Sequence, residues 1–340
     1  LPPRAVTERN VAFIGGSVNI VVTGAAGFVG SHLVDRLTTE GSHVVAVDNL
    51  LTGKLSNLEG AIASGRCTFV FADVSDAAAV QRLVLESAEG IGEIYHLASP
   101  ASPQAYGHYP WQTLRVNSLG TMAMLDLAHE TGARLLFTST SEVYGDPLEH
   151  PQRETYFGNV NSIGPRACYD EGKRFGEAAV SVARATHNID ARIVRIFNCY
   201  GPRMDIADGR LIPALLSAAV RGGALPVHGD GSQTRSLTYV DDIVDGLIRV
   251  LRVPMPAFTP VNLGAEDERT VSEIAHAVAR IAGVAYEVES LPLRPEDPRR
   301  RKPAIDIASS LGWSPATTLE AGLRKTFAWY TERLSEENAA

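Results

Sequence analysis

Residues 20–31 read Ile20-Val21-Val22-Thr23-Gly24-Ala25-Ala26-Gly27-Phe28-Val29-Gly30-Ser31, and this stretch decides the fold. The β-branched run Ile20–Val22, led in by Val18 and Asn19, predicts a strand. A segment of helical length, Ser31–Thr39, follows the glycines. In the GxxGxxG spacing, Gly24 permits a tight turn and Gly27 lets backbone N–H groups approach a pyrophosphate. Gly30 lets the helix pack closely on the strand. The free donors of the helix N-terminus then face phosphate charge. Any strand-to-helix turn can contain glycines, so the reading rests on what surrounds this one.

The surroundings repeat the same unit. Further strands are predicted at Val44–Val47, Thr68–Phe71, Ile94–Leu97, Arg134–Thr138 and Arg192–Phe197, with helical segments such as Ala77–Glu86 between them. Strands alternating with helices specify an α/β fold, a doubly wound parallel sheet of the Rossmann type that binds ligands at the strand ends. Asp48 closes the second strand 18 residues past Gly30. A carboxylate there takes both ribose hydroxyls and repels a 2′-phosphate, which favours NAD over NADP. Asp73 closes the third strand and either meets the adenine edge or caps the helix before Ala77. Phe28, Val29, Asn49, Val74 and Leu97, beside these residues, complete the expected cofactor contacts.

After Phe197 the alternation fades, and Pro202, Pro213, Pro226, Pro254, Pro256 and Pro260 cut the chain into short pieces. The expected organisation is a Rossmann domain over 18–198, rejoined by 236–251, with a smaller α/β substrate-binding region over 199–235 and 252–334. Helices are predicted there at Val271–Ile281 and Leu319–Leu334, and residues 1–17 read as a loose leader.

Composition removes other classes. Of 340 residues, 45% are hydrophobic and 21% charged, as in an ordinary globular protein with a substantial core. A net charge of −8 gives no general attraction for nucleic acid or anionic membranes. Cys67, Cys168 and Cys199 are too few and too scattered for a disulfide framework or a zinc site, so no metal is expected and a reducing, cytoplasmic setting is. The apolar stretch Leu211–Val220 is too short to span a bilayer, and the first residues lack a signal-peptide pattern.

The chemistry concentrates in two places. Tyr169 and Lys173 form YxxxK, which on a helix puts both side chains on one face. A lysine ammonium lowers a nearby phenol's pKa and makes it a usable proton acceptor; Lys173 can also hold the nicotinamide ribose. Thr140, Ser141 and Glu142 follow the fifth strand, where substrate should lie. Thr140 can bond a hydroxyl being oxidised, and Glu142 can move a proton or simply cap the next turn.

Six segments carry a resemblance: HLASPASP (His96–Pro103), STSEVYGDP (Ser139–Pro147), IGPRACYDEGKR (Ile163–Arg174), RIFNCYGPRM (Arg195–Met204), GDGSQTR (Gly229–Arg235) and RKP (Arg301–Pro303). With the glycine motif they resemble the extended short-chain dehydrogenase/reductase family in its nucleotide-sugar branch, over nearly everything from Asn19 to about Tyr330. Within the branch, the UDP-glucuronate decarboxylases are the most similar. The resemblance implies NAD as cofactor, a UDP-sugar substrate and a redox-neutral cycle: oxidation at C4, loss of CO₂ from C5, then return of hydride to give UDP-xylose. It implies catalytic roles for Thr140, Ser141, Glu142, Tyr169, Lys173 and Arg301. Substrate contacts would come from Arg115, Asn198, Arg203, Arg210, His228, Arg235 and Arg301.

Either Arg235 or Arg301 would grip the sugar carboxylate. Arg115 stands where relatives often carry lysine, and His228 where a tyrosine is usual. Ser141 replaces the acid that dTDP-glucose 4,6-dehydratases use to expel water, which favours decarboxylation. A 4-epimerase, a decarboxylase releasing the 4-keto pentose with NADH, and a silent NAD sensor are the alternatives. The family tends to form homodimers through helices that would lie near Trp111–Glu130 and Tyr169–Thr186.

Overall fold

Ile20 and Val22 face one hydrophobic core and Val21 the other; Val44 and Ala46 likewise oppose Val45 and Val47. This period-two division, with both faces apolar, is what a sheet covered by helices on both sides requires. The computed structural model describes residues 19–255, 257–293 and 300–339. Its main sheet holds β1 (Asn19–Thr23), β2 (His43–Asp48), β3 (Cys67–Phe71), β4 (Ile91–His96), β5 (Arg134–Thr140), β6 (Ala191–Ile196) and β7 (Val261–Leu263). All neighbours are parallel, in the order β7-β6-β5-β4-β1-β2-β3. The order reverses beside β1, so the crevice for a ligand opens at the carboxyl ends of β1 and β4.

Helices α1 (Phe28–Thr39), α2 (Ala77–Ser87), α3 (Thr121–Thr131), α4 (Ala167–His187), α5 (Leu211–Val220), α6 (Val240–Arg252), α7 (Val271–Ala282) and α8 (Leu319–Ala339) complete the frame. Residues of α1 and α6 fill one core, and those of α2, α3 and α4 the other. The region predicted as one helix near Trp111–Glu130 is a rod of three consecutive pieces: Pro110–Arg115, a π-helical turn at Val116–Gly120, and α3.

A third core, with Tyr200, Ile212, Leu216, Val227, Ile274, Leu323 and Tyr330, holds the smaller region together. It does not take everything after residue 251. Strand β7 pairs with β6, and Val261, Leu263, Ala308 and Trp313 pack in the first Rossmann core, the Trp313 indole donating to the Asp242 carbonyl at 2.9 Å. Val261–Leu263 is too short for its periodicity to announce a strand; the open edge of β6 captures it. Residues 1–17, expected to be a loose leader, lie outside the described residues, as does the 294–299 part of the substrate-binding region. No described helix is long and apolar enough to cross a membrane.

Candidate active site

The cavity over the strand ends has a volume of about 830 Å³ and is walled by both regions. Its floor begins at the glycine turn. Gly24 has φ +67°, and a Cβ there would lie 2.8 Å from the Ala98 backbone; a Cβ on Gly30 would lie 2.0 Å from the Gly24 carbonyl oxygen. Gly27 stands at the N-cap of helix α1 and brings no side-chain cap, so the helix's first-turn donors are open to a ligand. The backbone segments here pack on one another as closely as glycine alone allows, and the turn with its open donors fits a dinucleotide pyrophosphate.

Asp48 is buried at the end of β2, where its carboxylate accepts from Ala26 N at 3.0 Å and Leu50 N at 2.7 Å. Burial pushes its pKa up and the backbone donors oppose this. Each oxygen keeps a lone pair for a ribose hydroxyl. Asp73 is not the helix cap: Asp76 caps α2 by accepting from Ala79 N at 3.1 Å. Asp73 lines the cavity and accepts from Asn49 Nδ2 at 3.1 Å. Phe28, Val29, Val74 and Leu97 line the same end.

At the other end Thr140 closes β5, and its Oγ1 accepts from Glu142 N at 3.3 Å. Tyr169 is buried, hydrogen-bonded to Thr140 and stacked on Tyr106 at 5.1 Å. Lys173, one turn on, donates to the Thr138 carbonyl at 2.8 Å. The expected lowering of the Tyr169 pKa by Lys173 is not what the structure shows. Burial pushes the phenol up to about 12, with Thr140 opposing. Burial also pulls Lys173 down to about 7, so the ammonium carries only part of its charge at neutrality.

Glu142 sits between two guanidiniums. Arg301 Nη1 lies 2.7 Å from Oε1 and Nη2 donates to Oε2 at 3.0 Å, while Arg166 holds Oε2 from the other side. Burial alone would raise the Glu142 pKa; Arg301, Arg166 and the more distant Arg235 outweigh it and hold the carboxyl below its usual range. Glu142 is therefore an ionised acceptor at neutral pH rather than a turn cap, whose role falls to Thr140. Arg301 also donates to Asn198 Oδ1 at 3.0 Å, and Asn198 Nδ2 is buried with no partner among the described residues. Ser141, Arg203, Arg210, His228 and Arg235 line the cavity too. Arg203 pairs with Asp35 and Arg210 with Asp208; His228 contacts the Pro292 carbonyl, and Arg235 donates to the Thr234 carbonyl.

Arg115 is the sequence-predicted contact that the fold leaves out. Gln112 and Val116 line the cavity, but Arg115 is exposed and does not; at about 100° per residue its side chain leaves the helix on another face. Three contributors carry no sequence assignment. Arg166, three residues before Tyr169, shares its helix face, a spacing that could have exposed it. Tyr106 reaches Tyr169 only through the fold. Asp170 joins this cluster, with Oδ2 3.9 Å from Arg166 and Oδ1 without a partner among the described residues.

Burial and Glu142 raise the Asp170 pKa from 3.8 to about 7. Between these values the folded chain holds the proton more tightly, so this group's contribution to stability falls as pH rises from about 4 to 7. Asp170→Asn is expected to raise Tm at pH 8 and to change it little at pH 4, as scanning calorimetry would show. A higher Tm at both pH values by the same amount would contradict this assignment.

Residues 20–264 match the model of the NAD dependent epimerase/dehydratase family. The chain belongs to that family. It is 45% identical over 324 residues to UDP-glucuronic acid decarboxylase 6 of Arabidopsis thaliana, covering 95% of this chain and 91% of that one. UDP-glucuronic acid decarboxylase 1 of Danio rerio is 44% identical over 319 residues, covering 94% and 74%. Among solved structures, UDP-glucose 4-epimerase from Thermotoga maritima with UDP-glucose superposes with a TM-score of 0.85 at 28% identity, covering 93% of this chain and all of that one. UDP-glucuronic acid 4-epimerase from Bacillus cereus, in complex with UDP-glucuronic acid and NAD, gives 0.82 at 26% over 93% and 100%.

Proposed function

We propose that this chain decarboxylates UDP-glucuronate to UDP-xylose. The observation that carries the reading is the cluster at Glu142, where Arg301 and Arg166 pair with the carboxylate, Arg235 lies farther off and Asp170 approaches Arg166. A sugar bearing its own carboxylate would meet guanidinium forks there, which a neutral hexose has no charge to engage. The curated relatives described above carry the same activity in their names.

NAD is the cofactor; when bound it supplies reversible hydride acceptance at C4 of the sugar. Gly24, Gly27 and Gly30 would take its pyrophosphate, Asp48 and Asp73 its adenosine half, and Lys173 its second ribose. Thr140 and Tyr169 share a hydrogen bond and so present two hydroxyls at one point of the wall. We assign Tyr169 the C4 hydroxyl proton, with Thr140 orienting the sugar. With a ketone at C4 the carboxylate is β to a carbonyl, so the C5–carboxyl bond breaks and its electron pair moves toward the C4 oxygen. Tyr169 and Thr140 then face that developing charge. Loss of CO₂ from a carboxylate consumes one proton, delivered at C5. Ser141 and ionised Glu142 position the ring for it, Arg301 holding the anionic edge. Asn198, Arg203, Arg210, His228 and Arg235 serve the rest of the nucleotide sugar.

Substrate labelled in the carboxyl group tests the reaction class. Labelled CO₂ together with UDP-xylose is expected. Retention of the label in UDP-galacturonate would mean epimerisation, and labelled CO₂ with a persistent 4-keto pentose would mean that hydride is not returned.

We also propose a homodimer and a reducing, cytoplasmic setting. The three cysteines are free thiols, which supports the second. Trp111, Leu119 and Met122 on the rod ending in α3, with Phe175 and Val182 on α4, are exposed apolar side chains, and rod and helix pack on each other. Such a surface is suited to burial against a second copy. Trp111→Lys combined with Val182→Asp should convert a dimer to a monomer in light scattering; an unchanged mass would refute this interface.

A further inference from the structure

Arg301 and Glu142 are 159 residues apart, and Arg301 belongs to no strand of the main sheet. Something beyond the ion pair must therefore fix where the guanidinium sits. The hydrogen bonds behind the cavity wall identify it. Gln152 N donates to the Lys302 carbonyl at 2.9 Å, Lys302 N donates to Gln152 Oε1 at 3.0 Å, and Ala304 N donates to the Gln152 carbonyl at 2.8 Å. Ser236 N holds the carbonyl of Arg301 itself at 3.2 Å.

Asn262, in β7, then ties this bridge to the other partner. Its Nδ2 donates to the carbonyls of Gln152 and Ala304, both at 3.1 Å, and its Oδ1 accepts from the Tyr144 hydroxyl at 2.8 Å. Tyr144 lies two residues after Glu142 in one tight turn. The connections close a ring: Glu142, Tyr144, Asn262, Ala304, Arg301 and back to Glu142. Tyr144 also accepts from Arg195 at 2.9 Å, and Arg195 is gripped by Glu177, one turn past Lys173 on α4. Asn262 is 0% and Gln152 1% exposed, and neither lines the cavity.

We propose that Asn262 and Gln152 are positioning residues that set Arg301 against Glu142 from behind the active site. Every hydrogen-bonding group of the Asn262 side chain except one lone pair is used, so its chemistry and not only its volume is specified. Aspartate in its place is isosteric but would turn an oxygen on two carbonyls that now receive donors. The segment carrying Arg301 would move, and Glu142 would lose its two-point contact with that guanidinium. Glu142 is faced by Arg301 from the 300–304 segment, Arg235 from 234–236, Arg166, Tyr169 and Asp170 from the start of α4, and Tyr106 from the short helix Pro103–His108. With Arg301 displaced the remaining guanidiniums compensate burial less fully, and the carboxyl titrates at higher pH.

The test uses the full-length protein with NAD and UDP-glucuronate, and rests on the decarboxylase reading for its assay. If that reading is wrong the wild type itself releases no CO₂, whereas failure of the present inference appears only in the variants. Asn262→Asp and Gln152→Ala are each expected to lower kcat by about tenfold to a hundredfold, the scale of a catalytic group misplaced by an ångström. The acid limb of kcat against pH should move upward, while NAD affinity by calorimetry stays within about twofold. Combined with Arg301→Lys, either variant should lose less than the product of the single losses, because both act through one contact. An acid limb at the wild-type position, kcat and NAD affinity falling together, or losses that multiply with Arg301→Lys would each overturn the proposal. Should Asn262→Asp fail to fold, Gln152→Ala and Tyr144→Phe carry the same readouts.

Discussion

Tyr169→Phe is expected to lower kcat for CO₂ release by about 10²- to 10⁴-fold, the range for loss of a positioned proton acceptor. The substitution removes little else. Phenylalanine keeps the ring stacked on Tyr106 at 5.1 Å and fills the same buried space, so the cavity should survive. What disappears is the hydroxyl and its bond to Thr140. NAD affinity should therefore change little, and the KM for UDP-glucuronate by less than kcat. With the phenol raised to about 12 by burial, only a small fraction of the wild-type tyrosine is the proton-accepting phenolate at neutral pH. The rate should accordingly rise, not fall, with pH as that fraction grows. A variant within a few-fold of wild type would remove Tyr169 from the chemistry.

Arg301→Met is expected to damage both stability and turnover. Removing one partner of a buried ion pair costs about 3–5 kcal/mol where the other charge is left alone; because Arg166 stays on Glu142, the lower end applies. The pH dependence separates this from a packing defect. The arginines hold the folded-state pKa of Glu142 below its ordinary value. Their contribution to stability is present above the unfolded-state pKa of about 4.3 and is lost as pH falls through the folded-state value. The Tm difference between wild type and Arg301→Met should thus be large at pH 7 and shrink below pH of about 4. A difference independent of pH would show that Arg301 acts by packing alone. Turnover of UDP-glucuronate should fall by at least about tenfold to a hundredfold, as for loss of a charged hydrogen bond.

How much of this was legible in the sequence follows the range of each interaction. The turn from β1 into α1, the carboxylate at the end of β2 and the YxxxK pair are each written in a short local pattern, and the fold places each on the element its pattern predicts. Asp73 and Asp76 differ by less than one helical turn, so spacing alone could not tell ligand wall from cap. Arg115 was misplaced by a single residue of helical rotation. The behaviour of Tyr169 and Lys173 was misjudged because burial, which no local spacing reports, outweighs the charge of the neighbour. The Glu142–Arg301 pair and its support at Asn262 depend on β7, three residues long and added to the sheet edge by pairing. Nothing local in Val261–Leu263 announces that it completes an active site.

The central claim is a closed cycle in which the sugar is oxidised, loses its carboxylate, takes a proton from solvent and is reduced again on the same protein. Proton NMR of the purified protein with UDP-glucuronate and NAD in D₂O, with NADH absorbance followed in parallel, tests it most directly. The account predicts UDP-xylose carrying deuterium at C5, with no lasting NADH signal. UDP-galacturonate as the product, with its carboxylate retained and no CO₂ released, would contradict it.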